Sequence, residues 1–346
     1  MLTTEKAQRL RDGLVIPAHP LALTAQRAMD TDRQRQLTTY YLDSGAGGVA
    51  VGVHTTQFAI RKHGLYEPAL RLAAETARDW ARSTGEPEPL LVAGVLGPTA
   101  NAVAEARVAA DLGYDLALVA TPGWGEAPER DILDGVAAVG EVLPVFGFYL
   151  QPALSGRRFG YGFWRRYAEI PVVRAMKVAP FDRYATLEVI RAVIDAGRAD
   201  DGAERDVDPI ALYTGNDDNI VVDLLTPYEF GGSTVHIVGG LLGQWAVWTP
   251  AAVRLHRRIR ALVRSGGPVP LDLLAYGARL TDANGAVFDA AGRFGGSIAG
   301  VSEVLRRDGL LSGTWCLSDE DRLAAGQVDE LDRVYAAYGD VIDGFR

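Results

Sequence analysis

The sequence predicts a (β/α)8 barrel followed by a helical extension, and three observations support that fold class. Short apolar runs rich in β-branched and aliphatic residues alternate with longer amphipathic segments from about residue 14 to residue 265. Eight such pairs occur in strict alternation, which is typical of a parallel barrel. A doubly wound sheet is the alternative, but no GxGxxG turn follows the first apolar run.

Each predicted strand is short, and most end at Gly or Pro, which are typical strand boundaries. The predicted strands are residues 14–21, 47–53, 90–97, 116–122, 144–150, 172–179, 209–215 and 233–240. The helices predicted to follow them are residues 32–44, 65–83, 99–112, 126–142, 161–169, 183–197, 217–228 and 248–265. We therefore expect residues 1–265 to form a barrel domain.

The remaining residues, 266–346, predict a C-terminal helical extension. Helices are expected over residues 298–308 and 318–338, and Ser318 with Asp321 resembles a helix-capping pair. The segment 281–296 (TDANGAVFDAAGRFGG) is rich in Gly, Ala and Asp, and this composition predicts a loop.

Composition limits the partners and the compartment. Asp plus Glu is 44 and Lys plus Arg is 35, which gives a net charge of −9. An acidic surface repels nucleic acid and anionic membranes, so we expect neither as a partner. No apolar run approaches the roughly 18 residues of a membrane-spanning helix, and the N-terminus lacks a signal-peptide core. The single cysteine, Cys316, is predicted to be a small buried hydrophobe, and we expect a cytoplasmic protein.

Lys177 is the one lysine in a long part of the chain that otherwise uses arginine. The chain has three lysines and 32 arginines, and no lysine follows Lys177. Alternation along the sixth strand places Lys177 on the same face as Val173, Ala175 and Ala179, and small residues fit a crowded barrel interior. Lys177 also falls near the carboxyl end of the strand, where (β/α)8 enzymes carry their active sites.

Tyr149 is the second candidate for chemistry. It is predicted to share a face of the fifth strand with Val145 and Gly147, near the carboxyl end. Because neighbouring strands lie about 4.8 Å apart, Tyr149 and Lys177 are predicted to face one pocket. A desolvated amine has a lowered pKa, and the neutral form attacks a ketone to give an imine, whereas a guanidinium does not. A neighbouring phenol would transfer the protons. The alternative is a lysine that extends to the barrel mouth or pairs with a carboxylate.

These residues resemble the dihydrodipicolinate synthase / N-acetylneuraminate lyase family of class I, Schiff-base aldolases. Tyr149-Leu150-Gln151-Pro152 matches the family's Tyr-x-x-Pro stretch, and Lys177 follows Tyr149 by 28 residues, at the position of its Schiff-base lysine. The resemblance covers nearly all of residues 14–340. Matches also occur at VAGV (92–95), Thr121-Pro122, Gly215-Asn216-Asp217 and the tail VSEVLRRDGLLSG.

The resemblance implies a fold, a substrate class and an assembly. The fold would be a barrel with a C-terminal helical extension, and the substrate would be pyruvate or a longer 2-oxo acid, with an aldehyde as a possible second substrate. It implies no cofactor and no metal. It also implies a homo-oligomer, either a dimer or a tetramer.

The loop after the second strand departs from the family pattern. The family has G-T-T-G-E there, and this chain has Gly52-Val53-His54-Thr55-Thr56-Gln57-Phe58. Alignment on the glycine places Val53 and His54 at the family's carboxylate-binding threonines, whereas alignment on the threonine pair places Thr55 and Thr56 there. Hydroxyl groups, backbone N–H groups or His54 would each bind a carboxylate. An ordinary strand-to-loop turn is the alternative.

Two departures concern the second substrate. Gly123-Trp124 stands where the synthases have two tyrosines, one of which completes a proton relay across a subunit interface. Leu154 occupies the position of their carboxylate-binding arginine, and Arg157 and Arg158 follow too late to be sure replacements. These differences argue against dihydrodipicolinate synthesis itself and suggest an apolar or aromatic second substrate. We expect Trp124 and Gly215 to contribute to substrate binding.

His236 is predicted to lie on the eighth strand, where the family has an aliphatic residue facing the bound keto acid. It would then exchange protons near neutral pH, and a hydrogen-bonded core histidine is the alternative. His19 and His54 end the first two strands, which lie next to the eighth strand and His236 in a closed barrel. Three histidines on neighbouring strands would suit a metal, but no ligand spacing supports a metal site.

The sequence therefore predicts a Schiff-base-forming lyase or aldolase with Lys177 as nucleophile and Tyr149 as proton relay. Three alternatives stay open. They are a non-catalytic keto-acid-binding barrel, a 2-oxo-acid dehydratase or hydratase-aldolase of the same family, and an unrelated barrel enzyme with metal chemistry.

Overall fold

A computed structural model describes residues 2–202 and 207–343, so Met1, residues 203–206 and residues 344–346 of the predicted domains lie outside the described residues. The strands are β1 (Val15–Pro17), β2 (Gly48–Val51), β3 (Leu90–Leu96), β4 (Leu116–Ala120), β5 (Val145–Leu150), β6 (Val173–Ala179), β7 (Ala211–Thr214), β8 (Tyr228–Phe230), β9 (Ser233–Val235) and β10 (Ile237–Leu242).

The helices lie between these strands and after the last one. They are α1 (Thr4–Asp12), α2 (Thr31–Asp43), α3 (Tyr66–Thr84), α4 (Thr99–Asp111), α5 (Glu129–Gly140), α6 (Pro152–Ser155), α7 (Tyr161–Ala168), α8 (Arg183–Asp195), α9 (Ile220–Leu225), α10 (Thr249–Ser265), α11 (Leu271–Val287), α12 (Ser297–Arg307), α13 (Gln327–Ala337) and α14 (Gly339–Asp343).

One eight-stranded sheet has the order β1-β10-β7-β6-β5-β4-β3-β2. The pairings from β3 to β7 and from β7 to β10 are parallel wherever the register is defined. Ala18, directly after β1, forms a parallel bridge with Ala50 of β2, so the first and last strands of the order meet. The predicted (β/α)8 fold with C-terminal helices is confirmed.

The chain divides into two compact units. The first contains the described residues of 1–14, 92–216 and 223–240, and the second contains those of 15–91, 217–222 and 241–346. In the first unit, the Tyr213 hydroxyl donates to the Leu10 carbonyl at 2.8 Å, and Lys6 pairs with Asp115 at 2.9 Å. Both contacts hold α1, which the sequence did not predict as a helix, against the strands of that unit.

The second unit contains β1, β2 and the C-terminal helices. Gln327, which is buried, donates its amide N–H groups to the Ala286, Val287 and Gly296 carbonyls at 3.1–3.2 Å, so the start of α13 binds the end of α11. Cys316 is buried beside Ile298, as predicted, and burial raises the pKa of its thiol to about 12.

Two predictions in the C-terminal extension were wrong. Residues 281–287 belong to α11 and not to a loop, because Leu273, Tyr276, Leu280, Ala283 and Val287 recur at helical spacing and are all buried. The helix predicted from residue 318 begins only at Gln327. Ser318 instead accepts the Glu320 N–H at 3.2 Å within a turn.

The eighth barrel strand is shifted from its predicted position. Ser233–Val235 pairs antiparallel with Tyr228–Phe230, and the barrel strand is Ile237–Leu242. Gly231 and Gly232 form the two-residue connection of this hairpin with φ of 57° and 84°. A Gly-Gly pair is a strong hairpin signal, so the sequence contained this information.

Gly239 provides a test of the packing around β10. A β-carbon there would lie 2.7 Å from the Leu14 nitrogen and 2.7 Å from the Tyr213 ring, so we expect Gly239→Ala to lower the free energy of unfolding by about 2 kcal/mol or more. Gly285→Ala in α11 is the control, because no atom lies within 4 Å of its added β-carbon. We expect it to stabilise by about 0.5 kcal/mol. Equal effects of the two substitutions in urea unfolding would contradict this description.

Candidate active site

Lys177 lies on the barrel-facing side of β6, near its carboxyl end. The rings of Phe146 in β5 and Tyr213 in β7 lie 5.2 Å apart across β6, so both side chains are on the concave face. Tyr213 is the register partner of Lys177, which therefore shares that face. The lysine is 8% exposed, and its Nζ lies 4.2 Å from the centre of the Phe148 ring.

Gly215 lies directly against the lysine side chain. Its N–H donates to the Val178 carbonyl at 2.8 Å, which holds the end of β7 beside β6. A β-carbon on Gly215 would lie 2.5 Å from Lys177 Cε and 2.6 Å from Ala179 Cβ. Only glycine leaves the lysine stem room here, so Gly215 contributes by its lack of a side chain.

Tyr149 does not share the face of Lys177, and that prediction was wrong. Phe148 is the register partner of Lys177, and Tyr149 is the partner of Val178. The Tyr149 ring, 1% exposed, lies 4.6 Å from the Trp164 ring of α7. The Tyr149 phenol therefore points into the helix layer, where burial raises its pKa.

A bulge in β6 is the physical reason. Val145 pairs with Val173, but the next residue, Phe146, pairs with Ala175, so Arg174 is an extra residue on β6. If Arg174 were paired in register with Phe146 and did not bulge, Tyr149 would stand opposite Lys177. A shift of one residue exchanges the two faces of a strand, and so Phe148 replaces Tyr149 beside the amine.

A buried polar network joins the loops that follow β6 and β7. Asn216 accepts the Phe181 N–H at 3.0 Å and donates to Asp223 at 3.0 Å. Asp223, fully buried, also accepts from the Thr214 hydroxyl at 2.6 Å and pairs with Arg183. Phe181 has a φ of 53°, which is rare for a bulky residue. The network therefore fixes a strained loop at the end of the lysine strand.

In the second unit, the predicted carboxylate loop forms a 3-10 turn, His54–Thr56. The Thr55 hydroxyl donates to the Ala18 carbonyl at 2.7 Å, and the Thr56 hydroxyl donates to the His19 carbonyl at 2.6 Å. Both hydroxyl protons are thus used inside the protein. A threonine hydroxyl that donates inside the protein has no proton left for a carboxylate. Backbone N–H groups and the His54 imidazole are the other two carboxylate-binding groups predicted for this loop, and both are compatible with these hydrogen bonds.

His19 supports the same loop. It is fully buried, with Nδ1 2.8 Å from the Pro20 carbonyl and Nε2 2.8 Å from the Thr38 hydroxyl. Burial lowers the pKa of His19 to about 4, so the ring is neutral at neutral pH. Sequence reasoning considered His19 only as a metal ligand. Among the described residues, no group of three His, Cys, Asp or Glu side chains has the arrangement of a metal site.

His236 lies directly before the barrel strand β10 and not within it as predicted. It precedes β10, in which Gly239 is the register partner of Tyr213 and therefore stands at the level of Lys177. A register shift lies between Ile237 and Gly239, and Ile237 pairs with Leu212, so His236 stands about two residues, roughly 7 Å, before the level of Lys177. The barrel strand begins after His236, and the contact of His236 with a bound keto acid stays a prediction.

Trp124 fills a space beside the loop after β3. Its indole packs against Gly97, where a β-carbon would overlap the ring, and donates from Nε1 to the Thr99 hydroxyl at 3.4 Å. The two arginines after β5 are also engaged: Arg157 donates to the Ala127 carbonyl at 2.6 Å, and Arg158 lies 4.0 Å from Glu188. These contacts hold the three side chains in place, and the contribution of Trp124 to substrate binding stays a prediction.

Comparison with known proteins identifies the fold. Neither a family model nor a curated protein matches the sequence. The dihydrodipicolinate synthase of Cyanidioschyzon merolae, solved with lysine bound, superposes with a TM-score of 0.74 at 20% identity over 94% of this chain and 98% of that chain. The synthase of Oceanobacillus iheyensis gives 0.72 at 14% identity over 96% and 98%.

A third similar structure comes from Escherichia coli. It is a prophage protein of the dihydrodipicolinic acid synthase family in complex with pyruvate, with a TM-score of 0.71 at 16% identity over 94% of this chain and 97% of that chain. At these identities the likeness establishes the fold. No helix among the described residues is long and apolar enough to cross a membrane.

The contact between Lys177 and Gly215 gives a direct prediction. Gly215→Ala should displace the Lys177 side chain and so change the rate at which an amine-reactive reagent labels Lys177. Peptide mass spectrometry measures that labelling rate. Gly162→Ala is the control, because its added β-carbon meets no atom within 4 Å. An unchanged Lys177 labelling rate in folded Gly215→Ala would show that the two residues are not in contact.

Proposed function

We propose that the chain belongs to the dihydrodipicolinate synthase / N-acetylneuraminate lyase family and is a Schiff-base-forming lyase or aldolase acting on pyruvate or a longer 2-oxo acid. The observation that carries this proposal is Lys177, nearly buried on the barrel-facing side of β6 beside Phe148 and Gly215. The shared fold and the bound pyruvate of one structure with that fold support it.

In the proposed reaction, Lys177 Nζ bonds to the keto carbon of the acid. The carbonyl oxygen takes up protons and leaves as water, which gives an iminium ion. The positively charged nitrogen then accepts the electron pair released when the neighbouring carbon loses a proton, or loses an aldehyde whose hydroxyl proton passes to water, and an enamine results. Protonation of the enamine carbon restores the iminium ion, and its hydrolysis returns the 2-oxo acid and the free amine. Attack of the enamine carbon on an aldehyde is the bond-forming direction.

Phe148 gives the amine an aromatic wall. A cation within about 6 Å of a ring face is attracted by the ring quadrupole. The ring 4.2 Å from Nζ would therefore stabilise the iminium ion that replaces the ammonium group. It would also keep water from one side of the reacting carbon, and it favours an apolar second substrate over a charged one.

The outward position of Tyr149 leaves proton transfer to other groups. A phenol in the helix layer does not reach the iminium carbon, so water or a hydroxyl at the mouth would carry the protons. This same observation favours one second candidate, a keto-acid-binding barrel that forms the imine without turnover. Turnover assays on a panel of 2-oxo acids separate the two candidates.

Two finer proposals come from the family resemblance. The carboxylate of the acid would bind at the loop of His54, through its backbone N–H groups or the imidazole. The protein would act in the cytoplasm as a homo-oligomer, a dimer or tetramer. Light scattering on the purified chain tests the assembly.

Borohydride trapping tests the proposed nucleophile. Reduction with pyruvate should add the reduced three-carbon acid to Lys177, and Lys177→Ala and Lys177→Arg should give no adduct. Tyr149→Phe should form the adduct at close to the wild-type rate, because its hydroxyl lies in the helix layer. A general acid–base residue would instead cause a loss of about hundredfold or more.

Two results would count against this reading. An adduct on Lys6 or Lys62 with none on Lys177 would remove the proposed function. A hundredfold slower adduct in Tyr149→Phe would leave the function intact but would place the phenol in the site.

A further inference from the structure

Arg198 is a buried cation whose hydrogen bonds go to backbone carbonyl groups. The residue is 2% exposed, and it follows α8. Its guanidinium donates to the carbonyls of Asp208 at 2.6 Å, Ala168 at 3.0 Å, Ile170 at 3.1 Å and Val173 at 2.6 Å. Burial lowers its pKa to about 10, so it stays charged at neutral pH. Burying a charge is costly unless it is well hydrogen-bonded, and these bonds meet that requirement.

The acceptors of Arg198 surround the β6 bulge. Val173 is the last residue in register before the extra residue Arg174, and its N–H donates to the Ile170 carbonyl at 3.1 Å. Arg174 itself pairs with the Asp208 side chain. The guanidinium therefore holds the backbone before the bulge and the segment before β7 at the same time.

We propose that Arg198 is a positioning residue for Lys177, because it fixes the bulge and thereby the register that places Phe148, and not Tyr149, beside the amine. The expected effect on adduct formation at Lys177 rests on the proposed function. The expected effect on the register of β5 against β6 does not depend on that function.

The fork geometry of arginine is what the position requires. An arginine presents five N–H donors in a fixed plane, whereas a lysine presents a single ammonium group on a flexible stem. A lysine at position 198 would keep the charge but would not span four carbonyl groups on three segments. The bulge would then lose its fixed position, and β5 would gain access to the register in which Tyr149 faces the barrel.

The experiment compares Arg198→Lys with Arg307→Lys. Arg307 is a matched control in the C-terminal extension, where its side chain is 18% exposed and bonds Glu303 at 2.9 Å and Asp332 at 2.7 Å. Three quantities are measured in each: the melting temperature, the rate of the borohydride-trapped pyruvate adduct at Lys177, and nitration of Tyr149 by tetranitromethane. Nitration of Tyr167, also buried in the helix layer, reports general loosening.

We expect Arg198→Lys to slow adduct formation by roughly tenfold to a hundredfold, since small misplacements of a reacting group have effects of this size. Tyr149 should become reactive to nitration while Tyr167 stays protected. Arg307→Lys should lower the melting temperature without either change. A wild-type adduct rate and a protected Tyr149 in folded Arg198→Lys would overturn the inference.

Two further outcomes are separable. If the wild-type protein forms no adduct at all, the proposed function fails, and the nitration pattern alone decides whether Arg198 sets the register. If Arg198→Lys does not fold, deletion of Arg174 in the Arg198→Lys background tests the same claim, because without the extra residue Phe146 pairs with Ala175 in a regular ladder and Phe148 stays opposite Lys177 with no bulge to hold. A folded double variant with a protected Tyr149 supports the inference, and a double variant that still does not fold overturns it.

Discussion

The pairing register of β5 on β6 decides which side chains meet in the barrel. Parallel strands carry their side chains alternately on the two faces, so one extra residue exchanges the sets that face the core and the helices. In this protein Arg174 is that extra residue. It leaves Lys177 on the concave face and gives the amine an aromatic hydrocarbon neighbour, Phe148, where pairing of Arg174 in register would have supplied a phenol.

The space around Lys177 is set mainly by the backbone positions of the loops after β6 and β7. Gly215 leaves room for the Lys177 side chain because it has no β-carbon. Asn216, in the loop after β7, accepts the Phe181 N–H and so connects this loop to the loop after β6. The fully buried carboxylate of Asp223 accepts hydrogen bonds from the Asn216 amide and from the Thr214 hydroxyl. Buried polar groups of this kind are costly unless every partner is present, so the loops at this end of β6 and β7 are specified as a unit.

Sequence reasoning succeeded where the signal was local. Lys177 was placed on the correct face because alternation within one strand needs only the residues of that strand, and the strand and helix alternation gave the fold. Tyr149 was misplaced because its partner depends on a bulge in another strand, held by carbonyl bonds to Arg198, and no period in β5 reports that. The eighth strand is shifted past His236 for a different reason, the hairpin turn at Gly231-Gly232, and that signal is local to the sequence.

The central claim is that Lys177 forms the imine with Phe148 at its side and with Tyr149 among the helices. A crystal structure of the pyruvate-treated, borohydride-reduced protein measures this directly. The account predicts continuous density from Lys177 Nζ into the three-carbon acid, with the Phe148 ring against it and the Tyr149 ring packed against Trp164. Density that joins the acid to another residue, or a Tyr149 hydroxyl bonded to the adduct, would contradict it.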